Sequence, residues 1–223
     1  MSLSHLSPSI LAIDTSGECC SVALWHQARL IELQAPGGAA ASEHVLPLVG
    51  QVLAQAHWSL GQLQALAFGA GPGSFTGVRT AASVVQGLAV AAGLPVVPVG
   101  TLLALALQQG RAGGRVAVAI DARMQEVYYA VYDIQQTEAG HEAVEVIAPS
   151  VAALAVAQQH CAEHGAALDA LSLLPGLAGV MAPYAATQYA LGRVVSAAQV
   201  EPVYVRNKVA QTTAERAAQA GNG

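Results

Sequence analysis

Positive charge is scarce in this sequence. Lys208 is the only lysine, the eight arginines are scattered along the chain, and the formal net charge is -5. Binding to a polyanion depends on concentrated positive charge, because each neutralised phosphate needs a cationic side chain. We therefore do not expect this chain to hold a nucleic acid by itself. If nucleic acid takes part in its function, a partner protein has to supply the basic surface.

Cysteines and long apolar runs are also few. The three cysteines are an odd number, and Cys19 and Cys20 are adjacent, so they point to opposite faces of a predicted strand. This excludes a disulfide framework and favours the reduced state. No run approaches the eighteen strongly apolar residues of a membrane span, and the opening MSLSHLSPS lacks the basic region of a secretory signal. We expect a cytoplasmic protein that does not associate with membranes.

Apolar residues are abundant, at 54% against 10% charged, so a sizeable core is expected. In the first half, apolar alternation and helical periods predict the element order βββαβαβα. The first three strands are expected to form an antiparallel meander, because short connections separate them. The predicted strands are 9–14, 19–25, 29–34, 63–68 and 95–99, and the predicted helices are 42–57, capped by Ser42, 76–92 and 101–109.

The pattern restarts after RAGGR, residues 111–115, which has the glycine and charge typical of a linker. Strands are predicted at 116–121, 126–133 and 143–147, and a helix opens at Pro149 and runs to about 162. The segment VAVAIDARMQEVYYAVY repeats the order of ILAIDTSGECCSVALW, which indicates two halves of shared architecture. We predict an α/β protein with tandem units at 1–110 and 111–223. The second unit ends with a helix at 184–198, a short strand at 202–205 and a frayed tail at 210–223.

Two features of the first half are typical of phosphate binding. Asp14 ends the first strand and precedes two hydroxyls and a glycine, so its carboxylate could orient a metal-bound water. The loop GAGPGSFTG leads into a helix, whose N-terminal amides can hold an anion. The alternative is a capped turn that binds nothing. Asp121 repeats the arrangement without a following glycine or hydroxyl. The candidate phosphate-binding residues are Asp14, Thr15, Ser16, Gly71, Gly73 and Ser74.

Several segments of the chain resemble the TsaB family, also called YeaZ. They are ILAIDTS, SEHVLPLV, GPGSFTGVRTAASVVQGLA, AIDARMQEVYYAVY and EPVYVRN, and they cover most of residues 9–134 and 181–208. The GPGSFTGVR motif is specific to that family. The resemblance implies two ribonuclease-H-like domains of the actin, hexokinase and Hsp70 superfold. It also implies a dimerization subunit in the synthesis of N6-threonylcarbamoyladenosine at position 37 of tRNAs that read codons beginning with A.

The resemblance implies a supporting role without catalytic or metal-binding residues. A TsaD-like paralogue is expected to hold the metal and transfer the threonylcarbamoyl group, and a TsaE-like ATPase joins the complex. The chain would form a heterodimer with the paralogue and a homodimer when alone, and it would meet tRNA only through the complex. No cofactor is required, although ATP or ADP is compatible with the complex interface. The paralogue's metal site uses two histidines four residues apart. No two first-half histidines of this chain have that spacing, since they are His5, His26, His44 and His57.

The resemblance places the partner surface on the predicted helices 42–57 and 76–92. Small residues on the second helix would let another helix approach closely, although both helices could also be ordinary core elements. Two departures from the family pattern are Ala41, where a histidine is frequent, and the short region 161–181, which indicates a trimmed second half. The candidate interface residues are Val78, Ala81, Ala82, Gly87, Leu88, His44 and Leu48.

Two enzymatic functions remain as alternatives. The first is an ATP-dependent phosphotransferase of the same superfold that uses Asp14, although the second half lacks an evident adenosine-binding glycine motif. The second is a zinc metallopeptidase, because His160, Glu163 and His164 in HCAEH match the H-x-x-E-H arrangement. A third metal ligand is not evident, and surface histidines on an alanine-rich helix explain the same pattern.

Overall fold

A five-stranded sheet forms the centre of the first half in a computed structural model, which describes residues 8–110, 113–137, 140–172 and 176–206. Its strand order is β3-β2-β1-β4-β5, with β1, β2 and β3 antiparallel and β4 and β5 parallel to β1. The predicted meander is therefore confirmed. The strands are β1 Ile10–Asp14, β2 Cys19–His26, β3 Arg29–Pro36, β4 Ala65–Gly71 and β5 Val96–Gly100.

Helices cover both faces of this sheet, which explains why every residue of β1 is buried. Leu11 and Ile13 share one core cluster with α1 and α2, whereas Ile10 and Ala12 share another with α3 and α5. Alternate residues of one strand thus fill opposite sides of the sheet. The helices are α1 Ala41–Ala56, α2 Phe75–Ala92, α3 Thr101–Gln109, α4 Leu154–Glu163 and α5 Ala178–Ala190.

The second sheet is smaller and has the order β6-β7-β8, with both pairs antiparallel. Its strands are β6 Gly114–Arg123, β7 Glu126–Thr137 and β8 Gly140–Ala153. Tyr132 faces the core that includes α3 and α5, whereas Tyr129 and Val131 face Cys161 of α4. Helix α5 packs on β1, β2 and β4, so the last described α-helix of the second half belongs to the core of the first sheet.

Four predictions for the later part of the chain and for one helix cap are wrong. The helix predicted from Pro149 begins at Leu154, because Pro149 and Ser150 continue the edge strand β8 beside a register shift, where proline is tolerated. Helix α5 covers Ala178–Ala190 instead of 184–198. Residues 202–205 form no strand, although the Val203 N–H donates a backbone hydrogen bond to the Ala70 carbonyl (2.8 Å). Ser42 is not the cap of α1, whose N-cap is Ala40 without a side-chain bond.

The architecture is mixed α/β, as predicted. The division into units 1–110 and 111–223 stays a prediction. Part of the proposed linker, residues 111–112, and the tail 210–223 lie outside the described residues. Within the described part of the chain, no helix is long and apolar enough to cross a membrane.

Candidate functional site

The glycine-rich loop connects β4 to α2 as predicted, and Ser74 caps the helix. Its hydroxyl accepts a hydrogen bond from the Gly77 N–H (3.3 Å), which satisfies one of the free amides of the first turn. Gly71 has a φ of 98°, a conformation that favours glycine, at the point where β4 turns into the loop. The local sequence thus fixes the strand, the turn and the start of the helix.

The loop packs directly against the turn that follows β1. The Thr15 hydroxyl donates to the Gly77 carbonyl (2.6 Å), and the Ser74 N–H donates to the Ser16 carbonyl (2.7 Å). A Cβ on Gly77 would overlap the Thr15 carbonyl oxygen, and one on Gly73 would lie 2.6 Å from the Ser16 carbonyl oxygen. These glycines are therefore needed for close contact between two backbone segments, in which the Thr15 hydroxyl and the Ser74 amide bond to the protein itself.

Asp14 is fully buried beneath this contact. Its Oδ1 accepts a hydrogen bond from the Ser16 N–H (3.2 Å), and a Cβ on Gly69 would collide with the same oxygen. Burial raises the pKa of Asp14 to about 6, since the charged form loses its hydration, while the Ser16 hydrogen bond and the nearby Leu177 amide partly oppose the rise. A metal-bound water could reach this carboxylate only if the packing opened.

The N-terminus of α5 lies over the polar side chains of β1, β2 and β3. Besides the Leu177 amide that faces Asp14, the Ala178 N–H donates to the Ser21 hydroxyl (3.1 Å) and the Gly179 N–H donates to Glu32 (3.2 Å). Amides at a helix start lack partners within the helix and favour acidic neighbours. Side chains of β2 and β3 therefore satisfy two of the free amides at the start of α5. The predicted phosphate-binding role of this turn stays a prediction.

The predicted interface residues do not share one face. Ala81 is fully buried, and Val78, Ala82 and Leu48 are buried as well. Ala81, Ala82 and Leu48 belong to the core cluster between these helices and the first sheet. The placement of these four residues on a partner surface is not supported by their burial and stays a prediction. His44 and Leu88 are half-buried, whereas Gly87 is exposed, and a Cβ on it would meet no atom within 4 Å.

The outer face of α1 and α2, which we call the helix face, carries large exposed apolar groups. Phe75 is 65% exposed, Val90 69% and Leu46 53%. Gly50 and Gly87 are both exposed, and open space surrounds both. The described residues of the helix face are Glu43, Leu46, Pro47 and Gly50 on α1, and Phe75, Thr76, Ser83, Gly87 and Val90 on α2.

An open groove of about 400 Å³ lies at one end of the helix face. Arg79 is held there by three contacts: its guanidinium carbon stacks 3.4 Å from the Phe75 ring centroid, one NH group donates to the Phe75 carbonyl (2.8 Å), and the other donates to the Tyr204 hydroxyl (2.6 Å). Stacking of this kind is favoured by the negative face of the ring. The groove is lined by Ser42, Phe75, Thr76, Arg79, Thr80, Ser83 and Val84.

The histidines of the HCAEH segment engage neighbouring groups. His160 Nδ1 lies 2.9 Å from the Tyr129 hydroxyl, and His164 Nδ1 lies 2.9 Å from the His160 carbonyl. Glu163 accepts a hydrogen bond from Gln159 (2.9 Å). No group of three or more metal-ligating side chains occurs among the described residues. The segment therefore offers two ring nitrogens without a third ligand, and the peptidase function is not favoured.

Comparison with known proteins first defines the class of the protein. Residues 34–219 match the family model described as TsaD, tRNA N6-adenosine threonylcarbamoyltransferase. A structure from Pseudomonas aeruginosa, described as YeaZ, is 36% identical, with a TM-score of 0.71 over 88% of this chain and 99% of its own. A second structure, described as an uncharacterized protein with similarity to peptidase YEAZ from Pseudomonas aeruginosa, is also 36% identical, with a TM-score of 0.76 over 89% of this chain and 100% of its own.

Curated relatives narrow this class to one family. The tRNA threonylcarbamoyladenosine biosynthesis protein TsaB of Escherichia coli (strain K12) is 38% identical over 90% of this chain and 96% of its own length. The protein of the same name from Haemophilus influenzae is 35% identical over 90% of this chain and 94% of its own length. The chain belongs to the TsaB family, which confirms the resemblance in its sequence.

Sequence reasoning missed two parts of this region. The GPGSFTGVR motif contains Phe75 and Arg79, but the Tyr204 hydroxyl that orients Arg79 lies 125 positions away, so no local pattern reveals the cluster. The start of α5 over Asp14 was missed as well, because the sequence before Ala178 has no clear period. The EPVYVRN segment, which contains Tyr204, is the sequence feature that could indicate the Arg79 cluster, since it combines an aromatic residue and an arginine.

Proposed function

We propose that this chain is a non-catalytic subunit of the complex that forms threonylcarbamoyladenosine on tRNA, and that it supports a TsaD-type paralogue by pairing through the helix face. Membership in the TsaB family supports the pathway, since two relatives named for it match over nearly their full lengths. The TsaD family match supports a paralogous partner of related fold. We place the protein in the cytoplasm, where tRNA is modified.

The main support for this pairing surface is the pair of exposed glycines, Gly50 and Gly87. Glycine within a helix costs about 1 kcal/mol relative to alanine. Neither glycine is required by contacts inside the chain, because each faces open space. A partner helix that packs closely would account for both. The exposed apolar side chains of Leu46, Phe75 and Val90 would be buried by the same contact.

A supporting role also agrees with the chemistry of the first half. Asp14, which a phosphotransferase would use to orient a metal-bound water, is buried beside the N-terminus of α5. The Thr15 hydroxyl and the Ser74 amide are engaged by the protein itself. We propose that the chain needs no cofactor of its own and that ATP or ADP binds only where the assembled complex forms a site. The phosphotransferase function is not favoured.

The proposed assembly has three further members or states. A TsaE-like ATPase joins the heterodimer, tRNA contacts this chain only within the complex, and the helix face forms a homodimer when the paralogue is absent. The net charge of -5 supports the indirect contact with tRNA, since this chain lacks a concentrated basic surface. The exposed apolar groups of the helix face support self-association.

The pairing surface can be tested without damage to the fold. The double substitution Gly50→Arg and Gly87→Arg places two long cations on the helix face, at sites where a Cβ meets open space. The matched control is Gly50→Ala and Gly87→Ala, which keeps the side chains small. We expect both variants to melt at or above the wild-type temperature, since each removes a helical glycine.

Binding to the TsaD-type paralogue then distinguishes the arginine variant from the alanine variant. We expect the alanine variant to co-purify with the TsaD-type paralogue and to support threonylcarbamoyladenosine formation, and the arginine variant to do neither. A second control, Gln136→Arg, adds one cation to an exposed position of β7 and should leave pairing unchanged. Normal pairing of the folded arginine variant would show that the helix face is not the docking surface.

A further inference from the structure

We propose that the groove beside Arg79 receives a carboxylate side chain of the TsaD-type partner, and that Arg79 selects it. The inference rests on the proposed function, because the groove lies between α1 and α2 and continues the helix face. It adds what that function leaves open, which is the chemistry of one anchoring contact.

Arg79 is held in a fixed orientation before any partner binds. The Phe75 ring supports one face of the guanidinium, and the Phe75 carbonyl and the Tyr204 hydroxyl each accept one hydrogen bond from it. A guanidinium has five N–H groups, so three donors remain. Because the planar group is already oriented, less side-chain entropy is lost when it binds a second planar group such as a carboxylate.

The positive charge of Arg79 has no acidic partner in the described part of the chain. Arg115, Arg123 and Arg206 each lie within 4 Å of a carboxylate, whereas the groups that hold Arg79 are neutral. Arginine and carboxylate form bidentate pairs whose bonds are about twice as strong as those between neutral groups. The free donors of Arg79 therefore match an acidic side chain.

The rest of the groove suits a protein segment better than a nucleic acid backbone. Arg79 is its only cation among the described residues, while Phe75 and Val84 supply apolar surface and Ser42 and Ser83 supply hydroxyls. A polyanion would need several cations close together. A volume of about 400 Å³ admits a few side chains, which fits a carboxylate on a helix with apolar neighbours. Tyr204 is a positioning residue, because it acts through Arg79.

The test measures the affinity of the full chain for the TsaD-type paralogue at low and moderate salt. Arg79→Gln removes the positive charge. Arg79→Lys keeps the charge but lacks the planar guanidinium that can form two parallel hydrogen bonds to a carboxylate. We expect the dissociation constant to rise about tenfold or more for Arg79→Gln, with a weaker salt dependence, and by a smaller factor for Arg79→Lys. Tyr204→Phe, which removes only the hydroxyl, should weaken binding less than Arg79→Gln and leave its salt dependence intact.

Controls separate this inference from the proposed function. Arg29→Gln removes an exposed arginine from β3, outside the groove, and should change neither affinity nor salt dependence. Thermal melting confirms that each variant is folded. If Arg79→Gln binds like the wild type while Gly50→Arg with Gly87→Arg does not bind, the inference is overturned and the proposed function stands. If Arg79→Gln binds the paralogue normally but weakens tRNA binding by the complex, a phosphate contact replaces the carboxylate. If the wild type does not bind the paralogue, both proposals are overturned.

Discussion

Replacement of Asp14 by asparagine should stabilise the protein at neutral pH and leave it nearly unchanged in acid. Asp14 is fully buried, and its pKa in the folded state is about 6, against 3.8 as a reference value. Between these values the folded protein binds a proton that the unfolded chain does not, so this group lowers stability progressively as the pH rises through that window. Above pH 6 the full penalty is present, and below about pH 4 it is absent.

The expected gain in stability follows from the size of the pKa shift of Asp14. About two pKa units correspond to about 3 kcal/mol, at about 1.4 kcal/mol for each unit. Asparagine keeps a carbonyl oxygen for the Ser16 N–H, but it loses the attraction between the carboxylate and the nearby Leu177 amide. We therefore expect a net gain of about 1 to 3 kcal/mol in the free energy of unfolding of Asp14→Asn at about pH 7.5.

Urea unfolding of the wild type and the variant at about pH 3.5 and about pH 7.5 measures this difference. The matched control is Asp121→Asn, because Asp121 occupies the corresponding position in the second half, accepts a hydrogen bond from the Arg123 N–H (2.8 Å) and has a side chain that is 53% exposed. We expect no comparable gain at neutral pH for that variant. An Asp14→Asn variant that is less stable than the wild type by the same amount at both pH values would refute the reasoning.

Two further predictions concern the loop and the histidines. Gly77→Ala should lower the free energy of unfolding by about 2 kcal/mol or more, because its Cβ overlaps the Thr15 carbonyl oxygen, whereas Gly61→Ala, with open space around it, should change stability by less than about 1 kcal/mol in chemical unfolding. The double variant His160→Ala and His164→Ala should lower the free energy of unfolding by about 1 kcal/mol, because the hydrogen bond to Tyr129 is lost. Its pairing with the paralogue and tRNA modification should stay intact. Loss of modification after this chain alone is treated with a chelator, before assembly, would contradict that expectation.

Sequence patterns predicted the first half well because its elements have strong local signals. The strands β1, β2 and β3 are short apolar runs separated by turns, and the start of α2 has both a glycine-rich loop and a capping serine. The side of each helix that faces the sheet was harder to predict. Helix α2 reads FTGVRTAASVVQGLAVAA, in which apolar and small residues occur all round, so there is little contrast between the buried Ala81 and Ala82 and the exposed Val90.

The predictions for the later helices and strands failed for a different physical reason. Prolines usually mark element ends, yet Pro149 lies inside the edge strand β8 and Pro183 lies inside α5, where tertiary packing overrides the local preference. The groove depends on the bond between Arg79 and Tyr204, which only the folded chain brings together. Local patterns thus predicted the turn and the loop, whereas the contacts around them required the structure.

The central claim is that this chain supports tRNA modification by pairing through the helix face. The most direct test is mass spectrometry of tRNA nucleosides from cells depleted of the protein and complemented with wild type, with Gly50→Arg and Gly87→Arg, or with the matched alanine variant. We predict that threonylcarbamoyladenosine is lost on depletion, restored by the wild type and the alanine variant, and not restored by the arginine variant at equal protein level. Unchanged modification on depletion, or full rescue by the arginine variant, would contradict the claim.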